Sequence, residues 1–126
     1  MKEMNPNHNK QFGQLGEDIA VKYLERKGYT ILTRNYRFGH VELDIISTYQ
    51  NEVIFVEVKT RTSDGMAYPE KAVGKSKQRN IRLAAENFVE ENQIILPARF
   101  DIIAIVKGEK FEVEHIEDAF YPFDTY

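Results

Sequence analysis

The sequence predicts an α/β or α+β domain in which helices pack on a mixed central sheet of about five strands. Two amphipathic stretches with helical spacing and several β-rich apolar stretches support this prediction. With 126 residues, of which 42% are hydrophobic, the chain is long enough for one domain with a single core. We expect residues 1–10 to form a flexible N-terminal tail and residues 11–126 to form the domain.

The first helix is predicted from Gln11 to Lys27. Apolar residues recur there every three or four positions, and Gly28 provides a C-terminal stop. These apolar positions are Phe12, Leu15, Ile19, Tyr23 and Leu24. Small residues, Gly16 and Ala20, lie beside Glu17 and would let the helix approach a sheet closely.

Three strands should follow this helix, because the next segments are rich in β-branched and aromatic residues. The first strand is predicted from Tyr29 to Tyr36. Gly39 marks a turn into the second strand, Val41 to Thr48. A hairpin-like connection at Gln50-Asn51 leads into the third strand, Val53 to Thr60.

The second half of the chain predicts a helix and two further strands. Residues 61–69 read as a loop, and a helix is expected from Glu70 to Asn92 with a break near Gly74. The last two strands are predicted from Phe100 to Val106 and from Phe111 to Ile116, with a glycine turn between them.

Charged residues interrupt the two central strands. The second strand contains Glu42-Leu43-Asp44, and the third ends with Glu57-Val58-Lys59. Side chains alternate along a strand, so Glu57 and Lys59 share one face of a segment that is apolar on both faces. A charge buried there is costly unless it is paired or bound to a metal. The pattern therefore indicates a functional site.

Pairing of these two strands would bring Asp44 and Glu57 together near the sheet surface. Two adjacent carboxylates favour a cation between them, and Mg²⁺ or Mn²⁺ suits an all-oxygen site. Such an ion can polarise a phosphate oxygen and lower the pKa of a bound water. Lys59 could orient that water or stabilise charge on phosphorus. Glu42 is interpreted as a solvated neighbour or an outer group of this site.

The spacing of Asp44, Glu57 and Lys59 resembles the PD-(D/E)xK nuclease superfamily. The chain is similar over residues 12–107 to the bacterial YraN family of endonuclease-like proteins, related to archaeal Holliday-junction resolvases. The matching segments are Gly16–Ala20, Gly28–Asn35, Glu42–Ile46, Phe55–Arg61 and Lys77–Arg79. Leu43 replaces the proline that often precedes the motif aspartate. The resemblance implies a restriction-endonuclease-like (resolvase-like) core.

The resemblance also implies roles for individual residues. Glu17, Asp44, Glu57 and Lys59 would be catalytic, and Asp44 and Glu57 would bind Mg²⁺ or Mn²⁺. The implied partner is nucleic acid, DNA before RNA, with branched DNA as one candidate substrate. Resolvases of this superfamily act as dimers, so a homodimer is compatible with the family. We expect nucleic-acid contacts from Thr60, Arg61, Lys75, Lys77, Gln78 and Arg79.

The charge distribution favours a polyanion partner only locally. The net charge is −3, but bases exceed acids between Lys59 and Arg82, and acids exceed bases between Glu109 and Tyr126. There are no cysteines, so thiolate metal sites and disulfides are excluded. No apolar stretch has the length of a membrane span, and the N-terminus lacks a signal-peptide pattern, so we expect a cytoplasmic protein without membrane partners.

Two other functions are compatible with the sequence. One is a non-catalytic DNA-binding module that retains the nuclease fold. The other is a protein-interaction domain that docks through its acidic, aromatic C-terminus, Phe120-Tyr121-Pro122-Phe123. The histidines lack ligand spacing, and Arg99-Phe100-Asp101 is interpreted as structural.

Overall fold

The order of helices and strands follows the sequence prediction. The structure is a computed structural model that describes residues 6–62 and 74–122, with side chains from residue 13 onward. Its elements are α1 (Pro6–Arg26), β1 (Thr30–Phe38), β2 (Val41–Tyr49), β3 (Glu52–Thr62), α2 (Lys75–Glu91), β4 (Ala98–Lys107) and β5 (Phe111–Ile116).

The described strands form one mixed sheet in the order β1-β2-β3-β4-β5. Neighbouring strands are antiparallel except β3 and β4, which are parallel. A parallel pair cannot be joined by a tight hairpin, and the connection from β3 to β4 accordingly contains α2. The predicted α/β architecture, a mixed sheet of five strands flanked by helices, is confirmed.

The core lies on both faces of this sheet. On one face, Val53 and Phe55 of β3 pack with Phe88 of α2. On the other face, Ile54 and Val56 of β3 pack with residues of α1 that include Leu24. The predicted burial of β3 on both faces is therefore confirmed, because consecutive side chains of this strand enter different clusters.

Most element boundaries differ from the prediction by one or two residues, and a few differ in a way that affects the site or the termini. α1 begins at Pro6 rather than Gln11, so residues 6–10 have helical backbone. Proline suits this position, because the first helical N–H groups have no partner within the helix. β3 continues to Thr62, beyond its predicted end, and α2 begins at Lys75. The predicted helix start at Glu70 lies outside the described residues.

The two described helices, α1 and α2, do not combine the length and hydrophobicity that crossing a membrane requires. α1 instead approaches the sheet closely. A Cβ added at Gly16 would clash with the methyl group of Thr60 on β3. The absence of a side chain at Gly16 thus lets α1 place the next residue, Glu17, beside the end of β3.

Candidate active site

Asp44 lies where β2 and β3 stop pairing. The described ladder between these strands ends at Ile45 and Val56. Leu43 and Ile45 are two residues apart but belong to opposite core clusters, so the alternation of side chains breaks between them. The carboxylate of Asp44 accepts a hydrogen bond from the backbone N–H of Val58 at 2.8 Å. Beyond the end of the ladder, the side chain of Asp44 therefore accepts a backbone hydrogen bond from β3.

The side chains of β1 also switch from one face of the sheet to the other, close to where β2 and β3 stop pairing. Arg34 contacts acids of α1, whereas Tyr36, two residues later, packs in the cluster beside α2. Between them, Asn35 has a φ of 55°, in the left-handed region. Asparagine adopts this conformation more readily than most residues. The bend directs the side chains of Arg34 and Asn35 towards α1.

The environment of Asp44 favours its protonated form. Burial raises the pKa of Asp44 to about 7, and the nearby carboxylate of Glu57 adds to this shift. The hydrogen bond from Val58 opposes the shift, while Glu17 and Glu42 contribute further repulsion. Within the described residues, no lysine or arginine forms an ion pair with Asp44. Among the described residues, Lys77 interacts with this carboxylate electrostatically without forming an ion pair, and the charges that raise the pKa of Asp44 are those of other carboxylates.

Glu57, in contrast, forms ion pairs with two lysines. Its Oε1 lies 3.2 Å from Nζ of Lys59 and 2.7 Å from Nζ of Lys77 on α2. Burial lowers the pKa of Lys59, and the contact with Lys77 lowers it further. Burial acts in the same direction on Lys77, but hydrogen bonds to Glu57 and Lys59 raise its pKa overall. Lys59, which was predicted to share a face with Glu57, thus pairs with it together with a second base from α2.

Glu17 is buried on α1 and is held by two consecutive residues of β1. Its Oε1 accepts hydrogen bonds from Nε of Arg34 at 2.9 Å and Nδ2 of Asn35 at 3.1 Å. Nη2 of Arg34 also contacts Asp18 at 2.6 Å. Sequence reasoning assigned no role to Arg34 and Asn35 in the site. The one feature of the sequence that could have indicated this contact was Asn35, an asparagine inside a predicted strand.

A polar cleft of about 440 Å³ opens between α1 and the sheet. Its lining residues are Gly13, Gln14, Glu17, Asn35, Arg37, Glu42, Asp44, Val58 and Thr60. The four predicted catalytic residues thus fall into two groups. Glu17 and Asp44 face this cleft, while Glu57 and Lys59 are joined to Lys77 of α2. Asp44 links the groups electrostatically, because its strongest charged neighbour is Glu57.

The residues predicted to contact nucleic acid occupy two places. Thr60 lines the cleft, and Nη1 of Arg61 donates to the carbonyl oxygen of Thr60 at 3.1 Å. The others lie on the first turns of α2, where Lys75 and Arg79 are exposed and Nη2 of Arg79 donates to Ser76 Oγ at 3.2 Å. Lys77 contacts Glu57, and Gln78 is partly buried. Their contact with nucleic acid stays a prediction.

A second polar cluster lies at the opposite end of α1. Asp101 on β4 has no exposed surface, and both of its oxygens accept hydrogen bonds from Arg99, at 2.9 and 2.7 Å. Nε2 of His115 on β5 lies 2.7 Å from Asp101 Oδ2, and the backbone N–H of Asp118 donates to Oδ1 at 2.9 Å. Burial acts to raise the pKa of Asp101, but the hydrogen bonds from His115 and Arg99 lower it overall.

This second cluster contains a group of side chains with metal-ligand geometry. Ligand atoms of Asp101, His115 and Glu117 all lie within 4.8 Å of one another. The guanidinium of Arg99 already contacts Asp101 and Glu117 there, at 2.7 and 3.2 Å. Because this cation supplies the positive charge that a buried carboxylate needs, the cluster fits a structural role. The interpretation of Arg99-Phe100-Asp101 as structural agrees with this geometry, whereas His115 was missed.

Comparison with known proteins identifies the family. The sequence profile of the Uncharacterised protein family UPF0102 matches residues 16–105. The chain belongs to this family. UPF0102 protein BF0634 of Bacteroides fragilis is 49% identical over 111 residues, covering 87% of this chain and 92% of that protein. UPF0102 protein FP2501 of Flavobacterium psychrophilum is 44% identical over 117 residues, covering 92% of this chain and 98% of that protein. The resemblance to the YraN family, a PD-(D/E)xK nuclease-like family, is confirmed.

Two solved structures are similar to the UPF0102 chain at 18% identity each. The FdxN element excision controlling factor of Anabaena variabilis has a TM-score of 0.43 and covers 82% of this chain and 98% of its own. SfsA of Pyrococcus furiosus, in complex with Ca²⁺, has a TM-score of 0.35 and covers 86% of this chain and 63% of its own. The resolvase-like α/β fold is confirmed by the mixed sheet with its two flanking helices.

Proposed function

We propose that this UPF0102 protein is a metal-dependent endonuclease-like hydrolase that cleaves phosphodiester bonds in nucleic acid, with DNA as the substrate. The observation that carries the proposal is the partly buried carboxylate of Asp44. It lies beside Glu57 at the point where two strands separate, and burial raises its pKa to about 7. Strongly shifted carboxyl groups at the edge of a cleft are typical of catalytic and ligand-binding sites.

The donor set fits a divalent ion. Asp44 and Glu57 offer carboxylate oxygens, the ligands that Mg²⁺ and Mn²⁺ prefer. The repulsion between these two groups, which raises the pKa of Asp44, would be relieved by a cation between them. Asp44 and Glu57 would therefore hold the ion. A bound divalent ion polarises a phosphate oxygen and lowers the pKa of water.

The side chains around these ligands support hydrolysis in different ways. Lys59 is mostly buried and lies 3.2 Å from Glu57, so its ammonium can donate to a phosphate oxygen as negative charge develops. Glu17 is fixed through Oε1 by Arg34 and Asn35. Its carboxylate faces the same cleft as Asp44 and can accept a proton from, or orient, an attacking water.

Substrate binding would combine the cleft with the start of α2. Thr60 lines the cleft, and the exposed side chains of Lys75 and Arg79 add positive charge on the first turns of α2, whose Lys77 contacts Glu57. Such contacts bind the phosphate backbone without reading sequence. We propose a cytoplasmic location, and a homodimer if the substrate is a branched DNA that requires two symmetric cuts.

Cleavage of a substrate panel tests this function. Branched, flapped, single-stranded and duplex DNA would be incubated with Mg²⁺, Mn²⁺ or EDTA. Asp44→Asn, Glu57→Gln and Lys59→Ala should each lower the metal-dependent rate by about 100-fold or more. Glu112→Gln, an exposed change on β5, is the matched control and should retain the wild-type rate.

Two results would contradict the proposal. Wild-type rates in a folded Asp44→Asn variant would exclude Asp44 from the reaction. Salt-sensitive DNA binding without turnover in any divalent ion would favour the non-catalytic DNA-binding module instead.

A further inference from the structure

We propose that Lys77 is a built-in counter-cation of Glu57, which a divalent ion displaces and which then binds a phosphate of the nucleic acid. This inference rests on the metal site of the proposed function. It adds a coupling between metal binding and nucleic-acid binding, carried by one side chain of α2.

Two ammonium groups share one carboxylate oxygen. Nζ of Lys77 lies 2.7 Å from Oε1 of Glu57, and Nζ of Lys59 lies 3.2 Å from the same atom. The side chain of Glu57 is only 11% exposed, so its charge must be compensated within the protein. One lysine suffices for one negative charge, and two adjacent ammonium groups repel each other. One of the two lysines is therefore displaceable.

Exposure identifies Lys77 as the displaceable lysine. The side chain of Lys77 is 44% exposed, whereas that of Lys59 is 16% exposed. An ammonium that is close to solvent regains hydration when it leaves its partner, and the flexible lysine stem permits this movement. A divalent ion that binds Oε1 would compete with Lys77 directly, because both cations need the same oxygen atom.

The position of Lys77 at the start of α2 favours binding of an anion once Lys77 has left Glu57. Lys75 and Lys77 lie in the first turn of α2, which contains no acidic residue, and Gly74 provides no side-chain cap. The N-terminal end of a helix carries partial positive charge, so lysines there are less favourable than acids. A phosphate group would satisfy both the lysine and the helix terminus.

The coupling is reciprocal. If phosphate draws Lys77 away from Glu57, the affinity for the divalent ion rises. Linkage then requires that the ion raise the affinity for phosphate by the same factor. Lys77 would thus suppress metal binding until a nucleic acid is present.

Calorimetric titration of the full chain with Mn²⁺, without nucleic acid, tests the competition. Lys77→Met should bind Mn²⁺ about tenfold more tightly than the wild type, because the competing cation is gone. Lys75→Met removes the same charge from the same helical turn and is the matched control. Its affinity should stay within about twofold of the wild type. Circular dichroism of each variant in EDTA verifies that the fold is retained.

The outcomes separate this inference from the proposed function. If Glu57→Gln abolishes Mn²⁺ binding but Lys77→Met leaves the affinity unchanged or weaker, the role of Lys77 is overturned and the metal site stands. Equal tightening in Lys75→Met and Lys77→Met would also overturn it, since the effect would reflect overall charge. Absence of Mn²⁺ binding in both the wild type and Lys77→Met would overturn the metal site and the inference together.

Discussion

Two aspartates of the same sheet, the partly buried Asp44 and the fully buried Asp101, lie in opposite electrostatic environments. Asp101 accepts hydrogen bonds from Arg99 and from a backbone N–H, and His115 contacts it at 2.7 Å. These contacts lower its pKa. Asp44 accepts one backbone hydrogen bond and lies among carboxylates, and burial raises its pKa to about 7. Burial acts to raise the pKa of both groups, so the sign of the overall shift is decided by the neighbours.

This difference separates a structural site from a candidate functional site. The charge of Asp101 is compensated within the protein, so the group has little to gain from a ligand. The described charges that raise the pKa of Asp44 are those of carboxylates, so an added cation would lower the electrostatic cost of ionising it. Natural proteins accept such a cost mainly where function requires it.

The largest effect on stability is expected from a substitution at Asp101, whose charge is compensated by Arg99. Asp101→Asn should lower the free energy of unfolding by about 3–5 kcal/mol, because Arg99 loses its fully buried partner and keeps only the more exposed carboxylates of Glu52 and Glu117. Urea denaturation at neutral pH measures this change. Asp118→Asn is the matched control, since only the backbone of Asp118 contacts Asp101 and asparagine tolerates its positive φ. A loss below about 1 kcal/mol in Asp101→Asn would contradict the structural role.

An intermediate, pH-dependent effect is expected at Asp44. The pKa of Asp44 rises from 3.8 to about 7 in the folded protein, so the folded state holds more protons than the unfolded state between these values. The contribution of Asp44 to stability is therefore greatest below pH 3.8 and declines as pH rises towards 7. Asp44→Asn cannot ionise, so its stability relative to the wild type should increase by about 1–2 kcal/mol from pH 5 to pH 8 in EDTA.

Denaturation curves of the wild type and Asp44→Asn at these two pH values measure this difference. Glu112→Gln, which changes an exposed acid of β5, should leave the pH dependence of the wild type unaltered. If the difference in free energy of unfolding between Asp44→Asn and the wild type is the same at both pH values, the raised pKa of Asp44 would be contradicted. The proposed difference between Asp44 and Asp101 would then be wrong.

The smallest effect is expected at Arg34, the arginine that holds Glu17. The side chain of Arg34 is 32% exposed, whereas that of Arg99 is 14% exposed. Arg34→Gln should therefore lower the free energy of unfolding by less than about 1 kcal/mol. Thermal denaturation checks this expectation, with Arg37→Gln, which removes an exposed ion pair with Glu42, as a control. A loss comparable to that of Asp101→Asn would show that Glu17 also belongs to a structural cluster.

Local patterns predicted most of the elements and part of the site. The shared face of Glu57 and Lys59 follows from the two-residue period of a strand, and the structure places both beside α2. The approach of Asp44 to Glu57 follows from the short connection between β2 and β3, which limits the possible register. Gly16 and Ala20 correctly indicated that α1 lies close to the sheet.

Contacts between distant segments could not be predicted in this way. Lys77 meets Glu57 because the chain crosses from β3 through α2 before it returns to the sheet as β4. Asp101 meets His115 because β4 pairs with β5 in one register. Arg34 and Asn35 reach Glu17 because the backbone at Asn35 is left-handed. None of these relations leaves a periodic signal in the sequence.

The sequence by itself determined the sheet, its two helices and the positions of the charged residues on β2 and β3, because side-chain periodicity and turn residues act locally. Only the tertiary structure decided which of the buried charges are compensated. Compensation depends on distances of a few ångströms between side chains that are far apart in sequence, and these distances arise from strand register and helix packing.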